Sequence, residues 1–94
     1  MDERRASLGP ILTVAVKYFA SIREAIGCAG ECIETRALTV RDLRDQLISQ
    51  DGARAEALAR GRAVRVALDQ VMCDESVHLV PGCEVAFFPP VTGG

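Results

Sequence analysis

One stretch limits the possible folds more than any other: "TVRDLRDQLISQ", Thr39–Gln50, the clearest helix of the chain. Thr39 is a good N-cap. Asp42 follows three residues later, where an acid suits the positive end of the helix dipole. Val40, Leu43 and Leu47 fall at i, i+3 and i+7 and make one apolar stripe. Asp51-Gly52 ends the segment. A helix with a single stripe needs one apolar surface to lie on, and the segments around it supply one.

"ILTVAVKYF" (Ile11–Phe19) alternates, with Val14, Val16 and Tyr18 on one face and Lys17, the sole lysine, on the other. "SIRE" (Ser21–Glu24) reads as a capping box, with Gly27 placed to end a short helix. "ECIET" (Glu31–Thr35) alternates again, Cys32 and Glu34 opposite Ile33, as in a partly exposed strand that forms a hairpin-like pair with the first. "ARAEALARG" (Ala53–Gly61) suits a second short helix anchored by Leu58. "AVRVAL" (Ala63–Leu68), the turn Asp69-Gln70 and "VMC" (Val71–Cys73) follow. A turn at Pro81-Gly82 leads to a last strand, Glu84 to Pro89, whose Val85 and Phe87 call for a central place in the sheet. One main helix on one mixed sheet is an α+β two-layer domain. Strand order is not readable from local pattern.

With 94 residues the chain is one domain with a modest core. Its net charge of −2 argues against a nucleic-acid binder, which carries a basic stripe. No apolar run approaches the roughly 20 residues that span a bilayer. Arg4-Arg5 is followed only by the short run Ile11–Val16, so residues 1–10 are expected to be a disordered leader and the location cytoplasmic. Cys28 and Cys32 have zinc-like spacing, but Cys73 and Cys83 lie ten apart and His78 is the sole histidine. The thiols are therefore read as buried or incidental, and no metal site is expected. Arg60, Arg62 and Arg65 read as a solvated cluster able to guide an acidic partner surface.

The end of the chain, "FFPPVTGG" (Phe87–Gly94), is apolar, then stiff, then thin. Pro89 and Pro90 donate nothing to a ladder, so pairing should stop there, and two prolines favour an extended path. From Pro89 to Gly94 the chain can reach on the order of 20 Å. Residues 90–94 are expected to be a flexible tail beyond a domain at 11–89. Strand parity puts Phe87 in the core and Phe88 on the glutamate-bearing face, exposed beside the tail as a partner-docking residue; parity alone equally allows both phenylalanines to be buried against the helix or a loop. No Ser/His/Asp grouping or glycine-rich phosphate loop is present, so catalysis by the chain alone is not expected.

"VKYFASIREAIG" (Val16–Gly27), "TVRDLRDQL" (Thr39–Leu47), "VALDQ" (Val66–Gln70) and "PGCEVAFFPPVTGG" (Pro81–Gly94), in that order, resemble the small subunits of molybdopterin synthase. These are sulfur carriers of the ubiquitin-like β-grasp family. The resemblance runs from Leu12 to Gly94 and is weak over Asp51–Arg62. It implies a mixed sheet on one main helix with short extra helices. It implies that the Gly94 carboxylate is adenylated by an ATP-using activating enzyme and converted to a thiocarboxylate by a sulfurtransferase. Pro89, Pro90, Val91, Thr92 and Gly93 would then enter the large catalytic subunit, in a heterotetramer. There the sulfur passes to a cyclic pterin precursor, and two transfers build the dithiolene that holds molybdenum. No permanently bound cofactor is implied. The alternatives are a carrier for thiamine or cysteine synthesis, a ubiquitin-like modifier or, in another class, a cysteine-based metal or redox domain.

Overall fold

The structure, a computed structural model, describes residues 10–90. The expected leader apart from Pro10, and the expected tail apart from Pro90, lie outside the described residues. Five strands form one mixed sheet: β1 (Leu12–Tyr18), β2 (Gly30–Thr35), β3 (Arg65–Leu68), β4 (Val71–Cys73) and β5 (Glu84–Phe88). Three helices accompany them: α1 (Ala20–Ile26), α2 (Val40–Ile48) and α3 (Gly52–Leu58). The strand order is β2-β1-β5-β3-β4. β1 pairs antiparallel with β2 and parallel with β5, and β3 pairs antiparallel with both β5 and β4. This is the α+β, β-grasp arrangement of a mixed sheet on one main helix with two short ones.

The sheet has one covered face and one open face. Val14, Val16, Tyr18, Ile33, Val66, Val85 and Phe87 share a core with Val40, Leu43 and Leu47 of α2, Leu58 of α3 and Ile22 of α1. Alternation in β1 and β5 therefore falls as the sequence reads: Val85 and Phe87 face the helices, in the central strand. The Thr39 hydroxyl accepts the Asp42 N–H at 3.2 Å and caps α2. Asp51 does more than follow α2, because its carboxylate accepts the Arg54 N–H at 2.8 Å and caps α3.

Two local readings are corrected. Ser21 does not cap α1: the helix begins two residues earlier than such a cap would allow, at Ala20, the N-cap is Phe19, and no side chain bonds there. The β1 ladder holds Phe19 in extended backbone, so the chain turns into the helix at Ala20, with φ of 52°, before Ser21 can act as a cap. Gly27 does end α1, at φ of 94°. Arg60 is exposed, as expected, but it is not a free cation. It donates to Asp45 of α2 at 2.7 Å and to Glu75, after β4, at 2.7 Å, which tie the loop after α3 to both.

Beside it lies a charge that the sequence reading missed. Arg44 sits in the apolar stripe of α2 and is only 3% exposed. Its guanidinium donates to the carbonyls of Leu58 at 2.8 Å, Ala59 at 2.7 Å and Arg62 at 3.2 Å, and to Glu75 Oε2 at 2.6 Å. The carbonyls at the end of α3 and in the loop beyond it are thereby satisfied. Burial works against ionisation of Glu75, but hydrogen bonds from Arg60 and Arg44 outweigh it and hold the carboxyl below the ordinary glutamate value.

Candidate functional site

The candidate site is the place where β5 leaves the sheet. Tyr18 stands beside Phe87 in the parallel register, and Arg65 stands opposite Phe88 in the antiparallel one. The Phe19 N–H donates to the Phe87 carbonyl at 3.2 Å and bonds β1 to β5 at this end. The next two residues, Pro89 and Pro90, have no N–H to extend a ladder, and the strand stops at Phe88. Both prolines are half-buried. Val91, Thr92, Gly93 and Gly94 lie outside the described residues.

The anchor beneath this exit is rigid. Phe87 is fully buried, and its ring stacks on Tyr18 with centroids 6.4 Å apart. The Tyr18 hydroxyl donates to Glu31 Oε2 at 2.6 Å. The same oxygen accepts Arg54 Nε at 2.9 Å and Nη2 at 2.7 Å, and Arg54 also pairs with Asp51. Burial, followed by the hydrogen bond to Glu31, holds the Tyr18 phenol well above its ordinary value, so it is a neutral donor at physiological pH. One chain of bonds thus links the start of α3, the start of β2 and the ring under Phe87.

On the open face, Phe88 is half-buried rather than exposed, which corrects the expectation from parity alone. The cause is Phe19, whose ring meets Phe88 edge-to-face with centroids 6.4 Å apart. Phe19 is itself 47% exposed. The pair makes an aromatic ledge at the base of the tail. Sequence reasoning missed Phe19 because it continues an alternating strand. The signal was there in its offset: it follows Tyr18 on β1, the strand that borders β5.

The expected thiol positions are scattered. Cys32 is exposed on β2, Cys28 and Cys73 are half-buried, and Cys83 is buried. Burial pushes the Cys73 thiol up, away from reactive thiolate. Among the described residues no group of three or more His, Cys, Asp or Glu could hold a metal ion. No helix of the described residues is long and apolar enough to cross a membrane.

Known proteins share this arrangement. The ThiS family profile matches residues 16–94. The molybdopterin synthase sulfur carrier subunit of Escherichia coli K12 is 37% identical over 81 residues, covering 86% of this chain and 99% of that one. SAMP1 from Haloferax volcanii superposes with a TM-score of 0.68 at 27% identity, covering 87% of this chain and 99% of that one. In a complex of subunits 1 and 2 of the molybdopterin-converting factor from Helicobacter pylori, the matching chain has a TM-score of 0.60 at 26% identity, covering 88% of this chain and all of that one. With the profile spanning most of its length and the E. coli relative matched almost end to end, this chain belongs to the ThiS family.

Proposed function

We propose that this chain is the sulfur carrier of a molybdopterin synthase, with the Gly94 carboxylate as the reacting group. The observation that carries the reading is the end of β5: a central strand anchored through Phe87, cut off by Pro89-Pro90 and flanked by an aromatic ledge. The core holds the exit in place, and the prolines prevent further pairing. The Escherichia coli and Helicobacter pylori relatives support a small subunit that works with a large one.

The chemistry follows from the carboxylate. It is a poor acyl donor until a good leaving group replaces its oxygen. A carboxylate oxygen attacks the α-phosphate of ATP on the activating enzyme, and pyrophosphate leaves. The terminal sulfur of a persulfide on the sulfurtransferase then attacks the acyl carbon and AMP leaves; a second thiol attacks the sulfurtransferase sulfur of the resulting acyl disulfide, which frees the thiocarboxylate and leaves a disulfide behind. The chain itself supplies position. Val91, Thr92 and the unbranched Gly93-Gly94 would thread a narrow channel in the large subunit, while Phe88, together with Phe19, docks outside it. The partner's groups perform the transfer to the cyclic pterin precursor, so the small subunit is non-catalytic. The same tail could serve a thiamine or cysteine pathway or a ubiquitin-like modifier. The SAMP1 likeness keeps the last of these in the test.

The test is reconstitution with large subunit, activating enzyme, ATP and sulfur donor. Deleting Gly94, or adding one residue after it, should abolish dithiolene formation while leaving the melting curve unchanged. Full activity from either variant, or conjugates to protein amines in place of dithiolene, would overturn the proposal.

A further inference from the structure

The open sheet face has an uneven charge distribution. Lys17 and Arg65 are exposed there, at the end from which the tail leaves. In the ladder Lys17 stands beside Ala86 and Arg65 opposite Phe88, so the two cations bracket Phe88 across β5. Their backbones are roughly 10–12 Å apart, from two strand spacings and a two-residue offset. Two acids of the same face stand at the other end. Glu34 lies across from Thr13 on β2, and Asp69 lies in the β3–β4 turn, each four residues along the strands, about 13 Å away. Glu84 is one diagonal step from Lys17 but forms no ion pair with it.

Arg44, Arg54 and Arg60 are each bonded to a carboxylate within the fold. Among the described residues Lys17 and Arg65 have no such pair. Lack of an ion pair does not by itself set these two apart, since Arg23, Arg41 and Arg62 also have none among the described residues; what distinguishes Lys17 and Arg65 is their place on either side of Phe88. The chain as a whole is net negative, so two unpaired cations around its most exposed aromatic ledge run against its overall charge. The positions between them are held by the small residues Ala67 and Ala86, both buried.

We infer that Lys17 and Arg65 are docking contacts for carboxylates on the rim of the large-subunit surface that receives Phe88 and the tail. This rests on the proposed function and adds the chemistry of the partner: an apolar hollow bordered by acidic side chains, one near each cation. Their effect falls on encounter more than on final affinity, because exposed rim charges act mainly by steering.

The experiment is the association rate of the full chain with the large subunit at about 50 mM and about 500 mM salt, where screening lengths differ severalfold. The wild-type rate should fall with salt. The pair Lys17→Glu and Arg65→Glu should associate about tenfold more slowly at low salt and match wild type at high salt. Each reversal alone should give part of that loss. Arg41→Glu, which makes the same charge change on the helix layer, should associate like wild type. A neutral pair, Lys17→Gln and Arg65→Gln, should slow association to an intermediate degree and stands in if the reversed pair melts early. Wild-type binding that ignores salt, a neutral pair as fast as wild type, or an equal loss in Arg41→Glu would overturn the inference while leaving the sulfur-carrier reading intact. Absence of wild-type binding to the large subunit would overturn both.

Discussion

Replacing one or the other of two adjacent phenylalanines should separate holding the fold from holding the partner. Phe87 is fully buried in the central strand and stacks on Tyr18. Phe87→Ala removes that burial and leaves a cavity beneath the tail exit, at a cost of about 3–5 kcal/mol. For a domain of this size each kcal/mol shifts Tm by about 4–8 °C, so a fall of about 12 °C or more is expected. Total stability of such a domain is about 5–15 kcal/mol, so the loss removes a large share of it. Phe88 is half-buried and touches Phe19 at its edge. Phe88→Ala gives up part of one side chain's burial and one aromatic pair, about 1 kcal/mol. Against the large subunit the order reverses. Truncating an aromatic anchor near the centre of an interface costs about 2 kcal/mol or more, roughly thirtyfold in Kd. Thermal melts of the two variants alongside calorimetric titration of Phe88→Ala check both halves. If Phe88→Ala melted as early as Phe87→Ala and bound like wild type, the division between anchor and ledge would be refuted.

Arg44→Met should destabilise by about 3 kcal/mol or more in urea unfolding, because three carbonyls and Glu75 lose a buried donor; an unchanged midpoint would contradict the role given to Arg44. Glu75→Gln should be less stable than wild type at neutral pH, and the gap should close as pH falls below about 4.3. The folded carboxyl is held below its unfolded value, so its contribution is present above that value and lost as pH falls through the folded one. A gap that widened in acid would refute the pairing with Arg44 and Arg60.

Much of the architecture was legible because local pattern and tertiary need agree. The stripe Val40, Leu43, Leu47 and the cap Thr39 define α2, and the parity of Val85 and Phe87 places β5 in the middle. What escaped depends on neighbours distant in sequence. Arg44 reads as a surface residue by type, although its position, four after Val40 and three before Leu47, lies within the buried stripe. Its carbonyl and carboxylate partners come from residues 58–75, which periodicity does not connect to it. The ledge escaped for the same reason: Phe19 and Phe88 are 69 positions apart, and only the parallel pairing of β1 with β5 brings them together. Ser21 shows the reverse error. Its motif is locally sound, but the strand before it fixes where α1 begins.

The central claim is that the mobile sulfur resides on the Gly94 carbonyl carbon. The most direct measurement is intact and fragment mass of the chain after incubation with activating enzyme, ATP and sulfur donor, using a variant in which Cys28, Cys32, Cys73 and Cys83 are replaced by serine or alanine. The expected product is heavier by the difference between one sulfur and one oxygen, with the change on Gly94. A cysteine-free chain that takes up no sulfur although folded, or a wild-type chain carrying the sulfur as a cysteine persulfide with Gly94 unmodified, would contradict it.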